Sequence, residues 1–329
     1  MALSSDELVK RELIDSIGVE HDGLTARVFP EGSNQDQRMF DEGGLTFSYQ
    51  KSNYGSCDLA YVYSQTNKPY IAIEGTDALN RGSSGNAQYQ RFHHSLGAVK
   101  NGFVGVYYLR KGTLKVSEDL YAMAYFASKK EKGFYVITQS IEEIKEILKF
   151  AGEPIEKRKS FLNNLIKKKH EIFLEKFNKK YKNDWKLFAQ KRSTIIFDKH
   201  IIKYSARNIL NFTDGSQRAG HIAVGEMYLT KYFFPDYEFF YFWPRMSKDE
   251  LDYLNKNKLN DKEWNLLSTE DNVEIITIDD IVNVPEEIKS GFYEIRKESL
   301  KGNPLKKYNE LTRKICELLE NGKCTIKNK

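Results

Sequence analysis

Between residues 57 and 152 the apolar positions switch repeatedly between a period of two and a period near 3.6, which predicts alternating strands and helices. Cys57–Tyr63 (CDLAYVY) and Tyr70–Thr76 (YIAIEGT) are β-rich runs around the polar stretch Ser64-Gln65-Thr66-Asn67-Lys68, the pattern of a hairpin. Folded about Thr66, the hairpin sets Tyr70 opposite Val62, Ala72 opposite Ala60, and Glu74 opposite Asp58. LTFSYQ, 45–50, reads as a short strand before it. FVGVYYL, 103–109, carries no charge and is expected in the sheet centre, buried on both faces. GFYVIT, 133–138, supplies a further strand. Helices are predicted over four segments. The first follows a Ser4-x-x-Glu7 capping box, with Leu8, Leu13, Ile14 and Ile17 in helical spacing and Gly18 as its stop. The others span 86–96, 117–130 and 140–152. On the second, Tyr89, Phe92 and Leu96 form an apolar stripe beside polar Gln88, Arg91 and Ser95. The segment up to Gly44 is polar and Gly-containing, and its acids Glu20, Glu31 and Glu42 take no element. The order is helix, three strands, helix, strand, helix, strand, helix. It predicts an α/β (α+β) domain over 1–152, in which an antiparallel meander feeds a right-handed crossover.

The composition changes at Glu153. Residues 153–207 hold sixteen Lys and Arg against six acids, a net of +10 in a chain whose total is +5. Phe173, Phe177, Tyr181 and Phe188 recur at near-helical spacing, predicting a long helix with one buried stripe and a basic face. Phosphate contact and a solvated surface helix both fit that face. Short strands (STIIF, HIIKYS, EFFYFW, VEIITI) and helices follow, so 153–329 reads as a second, basic α+β region. In TDGSQRAGHIAVGEMYLTKYFF the first helical turn carries Gln217, Arg218 and His221, side chains able to meet base edges or phosphates.

The remaining features mostly exclude. The three cysteines, at 57, 316 and 324, have no zinc spacing and suit a reducing cytoplasm. The N-terminus lacks the pattern of a secretory leader, and no run approaches the 18 apolar residues of a membrane span. GSSGNAQ lacks the Gly-Lys-Ser/Thr ending of a phosphate loop. His93 and His94, adjacent on a helix, diverge by about 100° and are expected in packing or at the surface.

What carries chemistry is the acid pair. Two carboxylates opposite one another on neighbouring strands repel unless neutralised, and a hard, oxygen-ligated cation such as Mg²⁺ is suited to do so. A helix, a three-stranded meander with Asp on its second strand and Glu on its third, then helix and strand, resembles the PD-(D/E)XK nuclease fold. Among its members the chain is most similar to type II restriction endonucleases of restriction–modification systems. The resemblance covers about 1–152. It implies a mixed sheet flanked by helices, with 153–329 as the target-recognition region. Asp58 takes the motif's Asp and Glu74 its (D/E), together the Mg²⁺ ligands; Gly75 is the variable position. Cys57 stands where the motif has Pro, and Thr76 where it has Lys. Members without that Lys place Glu, Gln or Lys elsewhere, which here points to Gln88, Gln90, Arg91, Lys68 or Lys100. Glu42 or Glu20 is the candidate for an additional acidic ligand.

The resemblance thus implies Asp58, Glu74, Thr76 and Gln88 as catalytic residues. Arg81, Arg91, Lys168, Lys191, Arg192, Gln217, Arg218 and His221 are the implied DNA contacts. The expected activity is Mg²⁺-dependent, sequence-specific cleavage of double-stranded DNA by a cytoplasmic homodimer. A repair or structure-specific nuclease of the same fold, and a nucleic-acid-binding protein without catalysis, are the alternatives.

Overall fold

A computed structural model describes residues 5–28, 48–49, 52–53, 57–80, 88, 91–184, 188, 195–196, 208–212, 219–233, 235, 238–243 and 273–277. The chain divides into two compact units, one of residues 1–175 with 224–229, the other of 176–223 with 230–329.

The first unit holds a six-stranded mixed sheet: β1 (Glu20–His21), β2 (Leu24–Val28), β3 (Leu59–Tyr63), β4 (Pro69–Thr76), β5 (Val104–Leu109) and β6 (Phe134–Thr138), in that spatial order. The β1–β2, β2–β3 and β3–β4 pairs are antiparallel, and β4–β5 and β5–β6 are parallel. Sequential strands are therefore spatial neighbours throughout. The parallel half is connected through α2 (Phe92–Lys100) and α3 (Asp119–Lys130), as parallel neighbours require. Helices α1 (Ser5–Ile17), α4 (Ile141–Lys149) and α5 (Ile155–Tyr181) complete the described helices of this part of the chain.

One expectation fails at the start of the meander. The strand beside β3 is β2, whereas of 45–50 only Ser48–Tyr49 is described in a strand, paired with Ser52–Asn53 in a separate ladder. The physical reason lies in Asp22 and Gly23. Both have positive φ, 46° and 80°, which a two-residue hairpin turn of this kind needs. Leu24 and Ala26 then alternate inward.

The hairpin register follows the sequence over its middle and departs from it at both ends. Leu59 pairs with Ile73, Ala60 with Ala72 and Tyr61 with Ile71. Beyond them the ladder shifts, so Val62 pairs with Pro69 and not with Tyr70. β5 is buried at all six positions, as its uncharged sequence predicts.

The two faces differ in how closely a helix can approach. On one, Ala60, Ala72 and Gly105 lie side by side on three neighbouring strands. This row of small residues lets α2 come down onto the sheet: a Cβ on Gly105 would sit 2.4 Å from the Ser95 carbonyl. On the other face, Leu59, Tyr61, Ile71, Ile73, Val106 and Val136 form the main core with Val9, Leu13 and Ile17 of α1 and Ile144, Ile147 and Leu148 of α4. Leu162 and Ile166 of α5 join it. α4 is capped by Ser140, whose hydroxyl accepts from the Glu143 N–H at 3.3 Å.

In the second unit β7 (Ile195–Ile196), β8 (Asn208–Phe212), β9 (Glu238–Trp243) and β10 (Val273–Thr277) form a four-stranded sheet, order β10-β9-β8-β7. β8–β9 and β9–β10 are parallel, and β7–β8 is antiparallel. α6 spans Ala219–Phe233, of which 219–223 and 230–233 belong to this unit. Within this unit Phe177, Tyr181, Phe188 and Phe233 cluster ring against ring, with centroids 5.1–6.2 Å apart. Phe173, Phe177 and Tyr181 of the predicted aromatic stripe are buried on α5, 27 residues long, whereas Phe188, also buried, lies beyond the helix end, where Lys182 and Asn183 take positive φ of 51° and 56°. Among the described residues no helix is long and apolar enough to cross a membrane.

Candidate active site

Asp58 and Glu74 meet where β4 ends, the carboxyl side of a parallel strand, where ligands of open α/β sheets commonly bind. Asp58 immediately precedes β3 and lies just outside the ladder. Its backbone N–H bonds to the Ile73 carbonyl at 2.9 Å. Its carboxylate accepts the Gly75 N–H at 2.8 Å. The one-to-one facing of Asp58 with Glu74 thus gives way to an acid that reaches along the strand end. Both side chains are almost fully enclosed, at 8 % and 3 % exposure.

Two helices, one from each face, bring cations to the pair. Gly75 lies under α1: a Cβ there would overlap the Val9 side chain and sit 3.6 Å from an Asp58 carboxylate oxygen. The Val9–Leu13–Ile17 stripe anchors α1, and the next residue, Lys10, stands with its ammonium 3.6 Å from the other Asp58 oxygen. From α2's side, the Arg91 guanidinium donates to Glu74 Oε1 at 2.6 Å, and His94 Nδ1 lies 3.3 Å from the same oxygen. Arg91 is held in place by buried tyrosines. Tyr107 of β5 donates to the Gln88 carbonyl at 2.9 Å and Tyr135 of β6 to the Phe92 carbonyl at 2.5 Å, bracketing the turn that carries Arg91. Each phenol thereby satisfies its polar tip inside an apolar layer. Burial pushes both phenols well above their ordinary pKa.

The Asp58 carboxyl is raised well above the ordinary carboxylate value, first by burial and next by the charge of Glu74. The Gly75 N–H, Arg91 and Lys10 act against this. The two acids therefore share one electrostatic site. Beside it, Arg110 binds Glu12 of α1 at 2.5 Å and Asp77 at 3.3 Å, and Tyr108 donates to Glu12 at 3.0 Å. These bonds tie α1 to the ends of β4 and β5.

The other candidates fall as follows. Thr76 is buried and its hydroxyl accepts the Ala78 N–H at 3.2 Å, closing the turn after β4. Gln88 spends its amide on backbone, accepting the Ser117 N–H at 2.7 Å and donating to the Lys115 carbonyl at 3.0 Å. It fixes the β5–α3 loop and is not brought to the acids. Lys100 pairs with Glu131 at 3.5 Å, and Lys68 is exposed in the hairpin loop. Glu20 accepts the Thr25 hydroxyl across β1–β2. Lys168 is exposed on α5. His221 lies on α6. Arg81, Gln90, Lys191, Arg192, Gln217, Arg218, Glu31 and Glu42 lie outside the described residues, as do residues 200–205.

Lys10 is the site member that sequence reasoning did not single out, and His94, expected in packing or at the surface, stands at Glu74. Gly75 inside a strand was the available signal for α1, because such a glycine often marks a close backbone or helix approach. For a cation, Asp58 and Glu74 offer an all-oxygen pair whose mutual repulsion a divalent ion would relieve, and that chemistry fits Mg²⁺. Among the described residues no group of three or more His, Cys, Asp or Glu side chains is placed to hold a metal, so water, substrate or backbone oxygens would complete the shell. Compared with protein-family models, curated proteins and solved structures, the chain finds no match.

Proposed function

We propose that this protein is a Mg²⁺-dependent endodeoxyribonuclease with a PD-(D/E)XK-like centre, of the type II restriction kind. The observation that carries the reading is the buried, electrostatically coupled pair of Asp58 and Glu74 at the end of β4, flanked by Lys10 and Arg91. A helix, the meander β2–β4 with Asp58 just before its second strand and Glu74 on its third, and a crossover through α2 support it.

Hydrolysis adds water across one P–O ester bond: the water oxygen joins phosphorus, and a proton goes to the departing sugar oxygen. Bound at the pair, Mg²⁺ would supply charge to a non-bridging oxygen and acidify a water. Asp58 and Glu74 are the residues that would hold it. Arg91, released in part from Glu74, is a phosphate contact beside the pair. Thr76 offers no amine, so little general-base help comes from β4. The basic face of α5, with Lys168, is assigned to duplex phosphates, and Gln217, Arg218 and His221 to base edges. Two identical subunits cutting a palindromic site complete the proposal.

Long linear DNA digested in Mg²⁺, with its fragment ends sequenced, tests this. Wild type is expected to give discrete fragments sharing one end sequence, and Asp58→Ala and Glu74→Ala none. Random degradation would favour a repair or structure-specific nuclease.

One observation favours a second reading. Glu74 is already paired with Arg91 and approached by His94, and Asp58 already accepts the Gly75 N–H with Lys10 beside it, as in a nucleic-acid-binding protein that has lost catalysis. Equal behaviour of wild type and both variants, with DNA bound and uncut, is its signature.

A further inference from the structure

We infer that Lys10 is a catalytic residue: its ammonium stands beside Asp58 in the free protein and passes to a non-bridging oxygen of the scissile phosphate when a divalent cation takes the carboxylate pair. This rests on the phosphodiesterase reading above.

The geometry favours Lys10 over every other described lysine. It stands 3.6 Å from Asp58, with its side chain 13 % exposed, so it sits at the pair and still reaches the surface. Lys68 is on the hairpin loop, and Lys100 is held by Glu131. The motif position itself is Thr76, whose hydroxyl is bonded to the Ala78 N–H. The site therefore obtains from a helix the amine its strand lacks. α1 is fixed for the purpose, by Val9 against Gly75 and by Glu12 against Arg110 and Tyr108. A lysine is suited to changing partners, being a compact charge on a flexible stem with three donors, whereas Arg91 is held in a fixed fork. A divalent ion at Asp58 would repel the ammonium, and the incoming phosphate is the nearest new anion.

The test compares wild type, Lys10→Met and Lys10→Arg with three readouts: Mg²⁺-dependent cleavage of plasmid DNA, calorimetric Mg²⁺ affinity without DNA at pH 8.5, and thermal unfolding. The expected result for Lys10→Met is a loss of cleavage rate of 100-fold or more, with Mg²⁺ bound at least as tightly as by wild type. Lys10→Arg is expected to recover at least tenfold of that loss. Cleavage by Lys10→Met within threefold of wild type overturns the assignment while leaving the carboxylate reading intact. Loss of Mg²⁺ binding together with cleavage also overturns it, because Lys10 would then merely hold Asp58 in place. Absence of both cleavage and Mg²⁺ binding in wild type instead sinks the underlying reading, and this inference with it.

Discussion

The seating of α1 on β4 puts Lys10 at Asp58, and a pair of substitutions tests it. A methyl group at Gly75 would lie 2.0 Å from Val9 Cγ1 and 3.2 Å from Val9 Cβ. Val9 is fully buried and β-branched, so it has no alternative rotamer to escape into. Gly75→Ala should therefore cost about 2–3 kcal/mol, the upper part of the range for overpacking a closed core. Val9→Ala removes two buried methyls, about 1.6 kcal/mol of transfer free energy, and leaves a small cavity, for about 2 kcal/mol in all. In the double variant the methyl of residue 75 occupies the space Val9 Cγ1 vacated, and a few tenths of an ångström of helix shift relieve the remaining contact. The double variant should thus lose only about 1–2 kcal/mol, not the sum of about 4–5. Urea unfolding of the four proteins, with unchanged m-values as the control, measures the coupling. Additivity within about 0.5 kcal/mol would refute the placement of α1 and remove the geometric basis for Lys10.

Other expectations follow from the same packing. The raised Asp58 carboxyl means the fold favours its protonated form, a stabilisation present at acid pH and lost as pH rises from the ordinary carboxylate range to the higher folded value. Asp58→Asn keeps an acceptor for Gly75, so its melting temperature should rise relative to wild type between pH 4 and 8; a constant difference would contradict the burial argument. Arg91→Met leaves Glu74 enclosed without its 2.6 Å partner and should cost about 1–3 kcal/mol in denaturant unfolding, part of it recovered by adding Glu74→Gln. Gly105→Ala, whose methyl meets the Ser95 carbonyl at 2.4 Å, should destabilise by about 3 kcal/mol. Gly152→Ala, with nothing within 4 Å, should stay within about 0.5 kcal/mol. If α5 lies on duplex phosphates, Lys168→Ala should reduce the slope of log affinity against log salt by about one, equally for specific and unrelated DNA.

The middle of the hairpin was legible because Ala60 and Ala72 repeat one small-residue rhythm on both runs, and a slip would have turned the whole apolar set outward. Its ends were not. The shift near Val62 and the bond from Asp58 to Ile73 depend on local backbone that side-chain alternation does not encode. The strand Leu24–Val28 was signalled by Asp22-Gly23, a two-residue turn sequence, yet its polar neighbours hid it within a segment without assignment. The acids were legible as a pair. Their cations were less so, since Lys10 arrives on a helix 48 residues before Asp58 and His94 on the far side of the sheet. Gln88 shared a stripe with Arg91 in sequence, but the Ser117 and Lys115 backbone claimed its amide.

The most direct test of the account needs no DNA. Calorimetric titration of Mg²⁺ into wild type, Asp58→Asn and Glu74→Gln, each checked for folding by circular dichroism, asks whether the two acids hold one cation together. Saturable binding by wild type, abolished by either substitution, is the predicted result. Equal heats from all three folded proteins would contradict it.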